Sequence, residues 1–248
     1  MPQSTSTNNT AQANSKVESA VSVPSRSVCD MQRTDVPYMG IPRTKVAIVF
    51  RKACELRSGN PTPSDVIQQT ETDLENDVVS AILEAALRLL PVDKTPKGTE
   101  QRQQKADEKR HKAMVAEWAF VDQLCSLDNE LLREQEQRDQ IIASVRDGNN
   151  NVIRLTPDVL FPRLKSVCGI ACRWIEYKNT FGFRADPFVA ARNKRQLRKY
   201  VAVFGNGMVV YKLGFECDFP RIEGVSCLRE KEVLEWIEAE KVRRRGDS

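Results

Sequence analysis

The amino-acid sequence predicts a mainly α-helical chain that closes in a small α+β module. Apolar residues recur at helical spacing through most of residues 41–145. Asp147-Gly148-Asn149-Asn150-Asn151 then breaks the pattern. Beyond it, an alternation of period two runs from Val209 to Phe219, as in a half-buried strand. The expected layout is a disordered tail (1–36), a helical segment (37–91) forming a helical hairpin, a linker (92–104), a long coiled-coil-like helix (105–147), and a domain (152–245) with a small antiparallel sheet flanked by helices.

The tail is dominated by Ser, Thr, Asn and Gln and has no aromatic residue, so it cannot bury enough apolar surface to offset its ordering entropy. A first helix is predicted over 41–57, with Pro42 in its first turn and Val46, Val49, Phe50, Ala53 and Cys54 on one face. Gly59 and Pro61 stop it. Ser64 suits the N-cap of a second helix that runs to Leu90, where Pro91 ends it. From about Gln104 to Val145 the chain is rich in Glu, Gln, Lys, Arg and Ala, all good helix formers. Phe120, Leu124, Leu127 and Leu131 are spaced 4-3-4, and the frame extends forward to Ile141 and Val145. Glu117, Glu134 and Arg138 interrupt that seam.

In the C-terminal domain, Thr156–Tyr177 reads as a helix carrying Leu160, Leu164, Val167, Ile170, Ala171, Trp174 and Ile175. Residues 181–219 read as strand, with Gly205-Asn206-Gly207 as the turn of a hairpin. A last helix is expected from about Leu228 to Arg245, acidic at its start and basic at its end.

Composition bounds the function. The chain has 248 residues, 40% apolar and 29% charged, with a net charge of +4. Such a mild basic excess permits a polyanionic partner without requiring one. No run approaches the ~18 apolar residues of a membrane span, and Met1-Pro2-Gln3-Ser4 does not open a secretory signal. Seven cysteines, an odd number, suggest reduced thiols in an intracellular setting, nuclear or cytoplasmic.

Candidate chemistry is sparse. His111 is the single histidine and sits between Arg110 and Lys112 without an orienting carboxylate, which removes most His-based catalysis and metal ligation. No carboxylate pair stands out among the 34 acids. Cys168, Cys172, Cys217 and Cys227 lack the tight pairing of a zinc knuckle and fit buried, packing thiols. The expectation is therefore a chain that is not an enzyme, with no catalytic, cofactor-binding or metal residues and no small-molecule substrate. Arg192, Lys194, Arg195, Arg198 and Lys199 crowd one short run, interleaved with Phe181, Phe183, Phe188, Tyr200, Phe204 and Tyr211 further out. That composition suits a single-strand nucleic-acid binder, a nuclear localisation patch, or a solvated loop beside an aromatic core.

Two family resemblances bear on function. Ile41-Pro42 through Leu90 resembles the opening of a histone fold, and the order of elements is similar to that of kinetochore subunits ending in RWD-type domains. Both imply a chromatin or kinetochore setting. The leading expectation is an assembly scaffold that associates with itself or another helical subunit through Phe120, Leu124, Leu127, Leu131, Ile141 and Val145, and docks a partner on its C-terminal module. The alternative is a nucleic-acid-binding protein, of nucleocapsid type among others, that uses residues 184–212.

Overall fold

Three short helices, a five-stranded sheet and the helices covering its two faces make up the computed structural model, which describes residues 38–149, 151–186 and 188–246. The tail expected over 1–36 lies outside these residues, as does Asn150 of the predicted break. In α1 (Arg43–Leu56), Val46, Val49 and Ala53 are buried, as their spacing predicts. The expected helix from Ser64 to Leu90 is two helices, α2 (Pro63–Thr70) and α3 (Asn76–Leu87). Glu71 adopts a left-handed backbone and the Thr72 hydroxyl accepts the Leu74 N–H, so local side-chain bonding replaces the helical ladder. The N-cap of α2 is Thr62, in a reciprocal capping box with Asp65. These helices enclose one apolar cluster, which Phe181 and Phe183 complete.

α4 (Pro96–Cys125) opens at Thr95, whose hydroxyl accepts the Gly98 N–H, and Pro96 takes the first helical position. Its first half is exposed. The long helix expected to continue to Val145 instead stops at Cys125. Asp128 accepts the Glu130 N–H at 2.9 Å and pairs with Lys165 at 2.8 Å, which fixes a turn that drops Leu131 into the core. Strand β1 (Leu132–Arg133) and helix α5 (Glu134–Arg146) follow.

The segment expected to be helical over 156–177 is a β-hairpin, β2 (Val159–Val167) and β3 (Ile170–Lys178), turning at Cys168-Gly169. Both turn residues have positive φ, as a two-residue hairpin loop needs, and Gly169 makes that affordable. The reverse error occurs next. The stretch expected to be strand contains α6 (Ala190–Phe204), with Ala190, Asn193, Leu197 and Tyr200 buried at helical spacing. Gly205-Asn206-Gly207 is therefore the exit from a helix into β4 (Gly207–Tyr211), not a hairpin turn. β4 runs parallel to β3, and β5 (Val225–Arg229) runs parallel to β4. The sheet, in order β1-β2-β3-β4-β5, is mixed rather than antiparallel. The expected period-two strand ends at Tyr211; Phe215 and Phe219 still join Tyr211 in one cluster.

α7 (Glu230–Gly246) matches the expected last helix. Its Val233 and Ile237 pack with Phe120, Val121 and Leu124 of α4 on one face of the sheet. α6 covers the other face through Leu197 and Tyr200 against Trp174, Val209 and Tyr211. No described helix is long and apolar enough to cross a membrane.

Candidate active site

The antiparallel register of β2 and β3 builds the centre of the site. Val159 pairs with Ile175, so Asp158, one residue before β2, lies beside Glu176. Asp158 is anchored there by the Tyr177 N–H, 2.6 Å from its Oδ2. Period two on β3 sends Glu176 and Lys178 to one side, toward α6. Glu176 is only 3% exposed. Its Oε1 accepts the Lys178 ammonium at 2.5 Å and the Gln196 amide at 2.8 Å. Its Oε2 is buried and has no hydrogen-bond partner among the described residues.

Two further carboxylates converge from helices. Glu117 projects from α4 and Glu134 opens α5, and oxygens of Glu117, Glu134 and Asp158 all lie within 4.8 Å of one another. Glu134 accepts Arg138 at 2.5 Å and the Thr156 hydroxyl at 3.3 Å. Crowded like charges in a desolvated setting resist ionisation. Burial, with Glu176 and Glu117 nearby, pushes Asp158 up to about 9. Burial, with Glu134 and Glu176 nearby, pushes Glu117 up to about 6. Lys178 opposes both shifts without cancelling them.

The cluster lies beside a cavity of about 410 Å³. Asp158 and Glu176 line it, and five cations surround them: Arg138 on α5, Arg154 on the approach to β2, and Arg192, Arg195 and Lys199 on α6. Arg192, Arg195, Gln196, Lys199 and Tyr200 fall at i, i+3, i+4, i+7 and i+8, so one helical face supplies that wall. Hard-cation ligation by oxygen, with an ammonium at the same carboxylate and a cationic rim, is an arrangement suited to a phosphate ester.

The basic residues singled out in the sequence thus divide. Arg192, Arg195 and Lys199 border the carboxylate cavity, while Lys194 and Arg198 lie with Arg195 and Lys199 along the adjoining outer face of α6. The apolar seam does not form one stripe. Phe120, Leu124 and Leu131 are buried in the chain's own core, Leu127 packs partly buried against it, and Ile141 and Val145 are half-buried on the separate helix α5. His111 is exposed on α4. Cys172 and Cys227 belong to different cores, and burial pushes the Cys172 thiol up to about 12. The residues that sequence reasoning missed are Glu117, Glu134, Asp158, Glu176, Lys178 and Gln196. Two of them, with Arg138, carried a signal: they are the charges that interrupt the apolar seam.

No curated protein and no solved structure matches the chain. A family model described as "Protein of unknown function TPD sequence-motif" matches residues 93–234, more than half of the chain. The tripeptide Thr-Pro-Asp occurs once in the sequence, at Thr156-Pro157-Asp158 within that span, and places its aspartate in the carboxylate cluster. The matched span holds Glu117, Glu134, Asp158, Glu176, Lys178 and the basic face of α6, and this chain belongs to that TPD sequence-motif family.

Proposed function

We propose that this chain is a divalent-cation-dependent phosphodiesterase acting on nucleic acid. The observation that carries the reading is the convergence of three carboxylates within 4.8 Å beside a fourth, Glu176, whose buried Oε2 lacks a partner. A buried anionic oxygen without a donor is costly, and a hard divalent cation satisfies such oxygens directly. Held by Asp158, Glu176, Glu117 and Glu134, such a cation would stabilise charge at phosphorus and lower the pKa of water so that hydroxide forms near neutral pH. Water adds to phosphorus, one P–O ester bond breaks, and a phosphomonoester and an alcohol leave. Lys178 is held at Glu176, where its ammonium neutralises charge at the reacting phosphate. Arg192, Arg195 and Lys199 attract and hold the polyanion.

The test is cleavage of end-labelled oligonucleotides by the full chain in Mg²⁺ or Mn²⁺, with EDTA as control. Asp158→Asn and Glu176→Gln are expected to lower the rate by a factor of about 100 or more, since each removes charge that binds the cation. Equal cleavage by wild type and both variants would show that a different centre, or a contaminant, does the work.

A helical scaffold is the second reading, favoured by one observation. Val115 and Trp118, one turn apart on α4, are both exposed. In this reading they, and not the seam buried in the core, meet a second copy or another helical subunit. Light scattering of the wild type and of Trp118→Ala tests it: a dimer that the substitution dissolves supports it, and a monomer in both cases removes it.

A further inference from the structure

The dimensions of the cleft select among nucleic acids. Its two walls are α5, which contributes Arg138, and α6, which contributes Arg192, Arg195 and Lys199. One residue touches both. The Thr156 hydroxyl donates to Glu134 at the head of α5, 3.3 Å away, and the Thr156 carbonyl accepts the Tyr200 hydroxyl of α6 at 3.2 Å. At Thr156 the two walls are therefore held together through a single residue. Of the four carboxylates, Glu176 is buried at the bottom, while Glu117, Glu134 and Asp158 are half-buried above it. A duplex cannot lower a phosphate between the two walls without its second strand meeting one of them. A single strand can.

The spacing of charge agrees. Arg192 to Lys199 spans seven residues of helix, about 10 Å at ~1.5 Å per residue. That length addresses about two consecutive phosphates of one extended strand. Lys194 and Arg198 carry the positive surface outward from the cavity on the same helix. Arg138 and Arg154 face the same strand from the other side. Among the described residues lining the cavity the one aromatic side chain, Tyr200, is buried against Trp174, so these residues offer bases no exposed stacking surface. Grip through phosphates alone is indifferent to base identity.

We infer that the substrate is an unpaired strand, held by its phosphates between α5 and α6 without sequence preference, and that paired nucleic acid is excluded from the centre. The inference rests on the phosphodiesterase reading for the fate of the strand, but its geometry is testable by binding alone.

The experiment uses the full chain carrying Asp158→Asn, with Glu176→Gln as a second inactive variant should the first be unstable. Fluorescence anisotropy is read with labelled single-stranded DNA, single-stranded RNA of the same sequence, and a blunt DNA duplex, across a salt series. Tighter binding of both single strands, by about tenfold over the duplex, is expected. Adding Arg138→Ala or Arg195→Ala should each weaken single-strand binding and reduce the salt slope by about 0.7 per lost phosphate contact. Duplex bound as tightly as single strand, or a slope unmoved by both wall substitutions, overturns the inference. In a parallel cleavage assay, the wild type cutting duplex and single strand equally overturns the inference and leaves the phosphodiesterase reading standing. Single-strand binding without cleavage in any divalent cation does the opposite.

Discussion

Two groups of acids in this molecule, each with a buried glutamate at its centre, are built on opposite plans. Around Glu216 the charges balance. Glu216 is 1% exposed, and the Arg184 guanidinium lies 2.7 Å from it while the Arg184 N–H donates to its second oxygen at 2.9 Å. Asp186, close by in sequence, pairs with Arg88 at 2.7 Å and accepts the N–H groups of Phe188 and Val189 at the head of α6. These pairs tie the α1–α3 unit and the loop before α6 to the sheet. Around Glu176 direct pairing is incomplete: Glu176 holds Lys178 and Glu134 holds Arg138, while Glu117 and Asp158 have no ion pair among the described residues and the further cations line the cavity. Glu216 and Asp186 bring their own counter-ions, whereas Glu117 and Asp158 do not, and that difference is what the proposed cation site rests on.

Removing a partner separates the two plans most sharply. Arg184→Ala leaves buried Glu216 with only the more distant Arg43, 3.9 Å away, and is expected to destabilise the fold by about 3 kcal/mol. Glu176→Gln keeps an amide oxygen for Lys178 and Gln196 and removes one charge from the cluster, so in the cation-free protein it should change stability by no more than about 1 kcal/mol. Urea denaturation of both variants checks the pair. A large loss of stability in Glu176→Gln would mean that Glu176 is a structural acid like Glu216.

The pH dependence of stability gives a finer contrast. A carboxyl whose folded pKa is raised binds its proton in the fold over a range where the unfolded chain has lost it. Asp158, up at about 9 against an ordinary value near 4, thus favours the fold at low pH and progressively less as pH rises from about 4 to 9. The slope is at most about 1.4 kcal/mol per pH unit. Without divalent cation, stability should fall across that window, and Mg²⁺ should flatten the fall by stabilising the ionised cluster. Stability that climbs steadily from pH 5 to 9 in EDTA would contradict the account of the cluster. The smallest effect expected is at a site remote from both: Thr62→Ala removes the capping box of α2 and should cost about 1 kcal/mol with no change in cation binding.

What could be read from sequence divides along physical lines. Elements whose local signals agree were legible: α1, with its apolar stripe and Pro42, and α7, acidic at its head and basic at its tail. β2 and β3 were not, because Leu160, Leu164, Val167, Ile170, Ala171, Trp174 and Ile175 fit helical spacing as well as two strands. β3, covered on both faces over Trp174–Tyr177, loses the alternation that identifies a strand. α6 was misread for the opposite reason, since the aromatic and β-branched run Tyr200–Phe204 at its end carries strand propensity that burial against the sheet overrides. The basic half of the site was visible as a run of charge. The acidic half was not, because Glu117, Glu134, Asp158 and Glu176 come from four separate elements and no local spacing joins them. Their trace in the sequence was the intrusion of Glu117, Glu134 and Arg138 into an apolar frame. That frame breaks at Asp128-Asn129-Glu130, so its continuation to Ile141 and Val145 describes a different helix.

The most direct measurement is a calorimetric titration of Mn²⁺ into the cation-free full chain, beside the same titration of Asp158→Asn and Glu176→Gln. The account predicts saturable binding by the wild type that weakens by about tenfold or more in each variant. It predicts unchanged binding in Thr62→Ala. No binding by the wild type, or equal binding by all four proteins, would contradict the claim that this carboxylate cluster is a cation site.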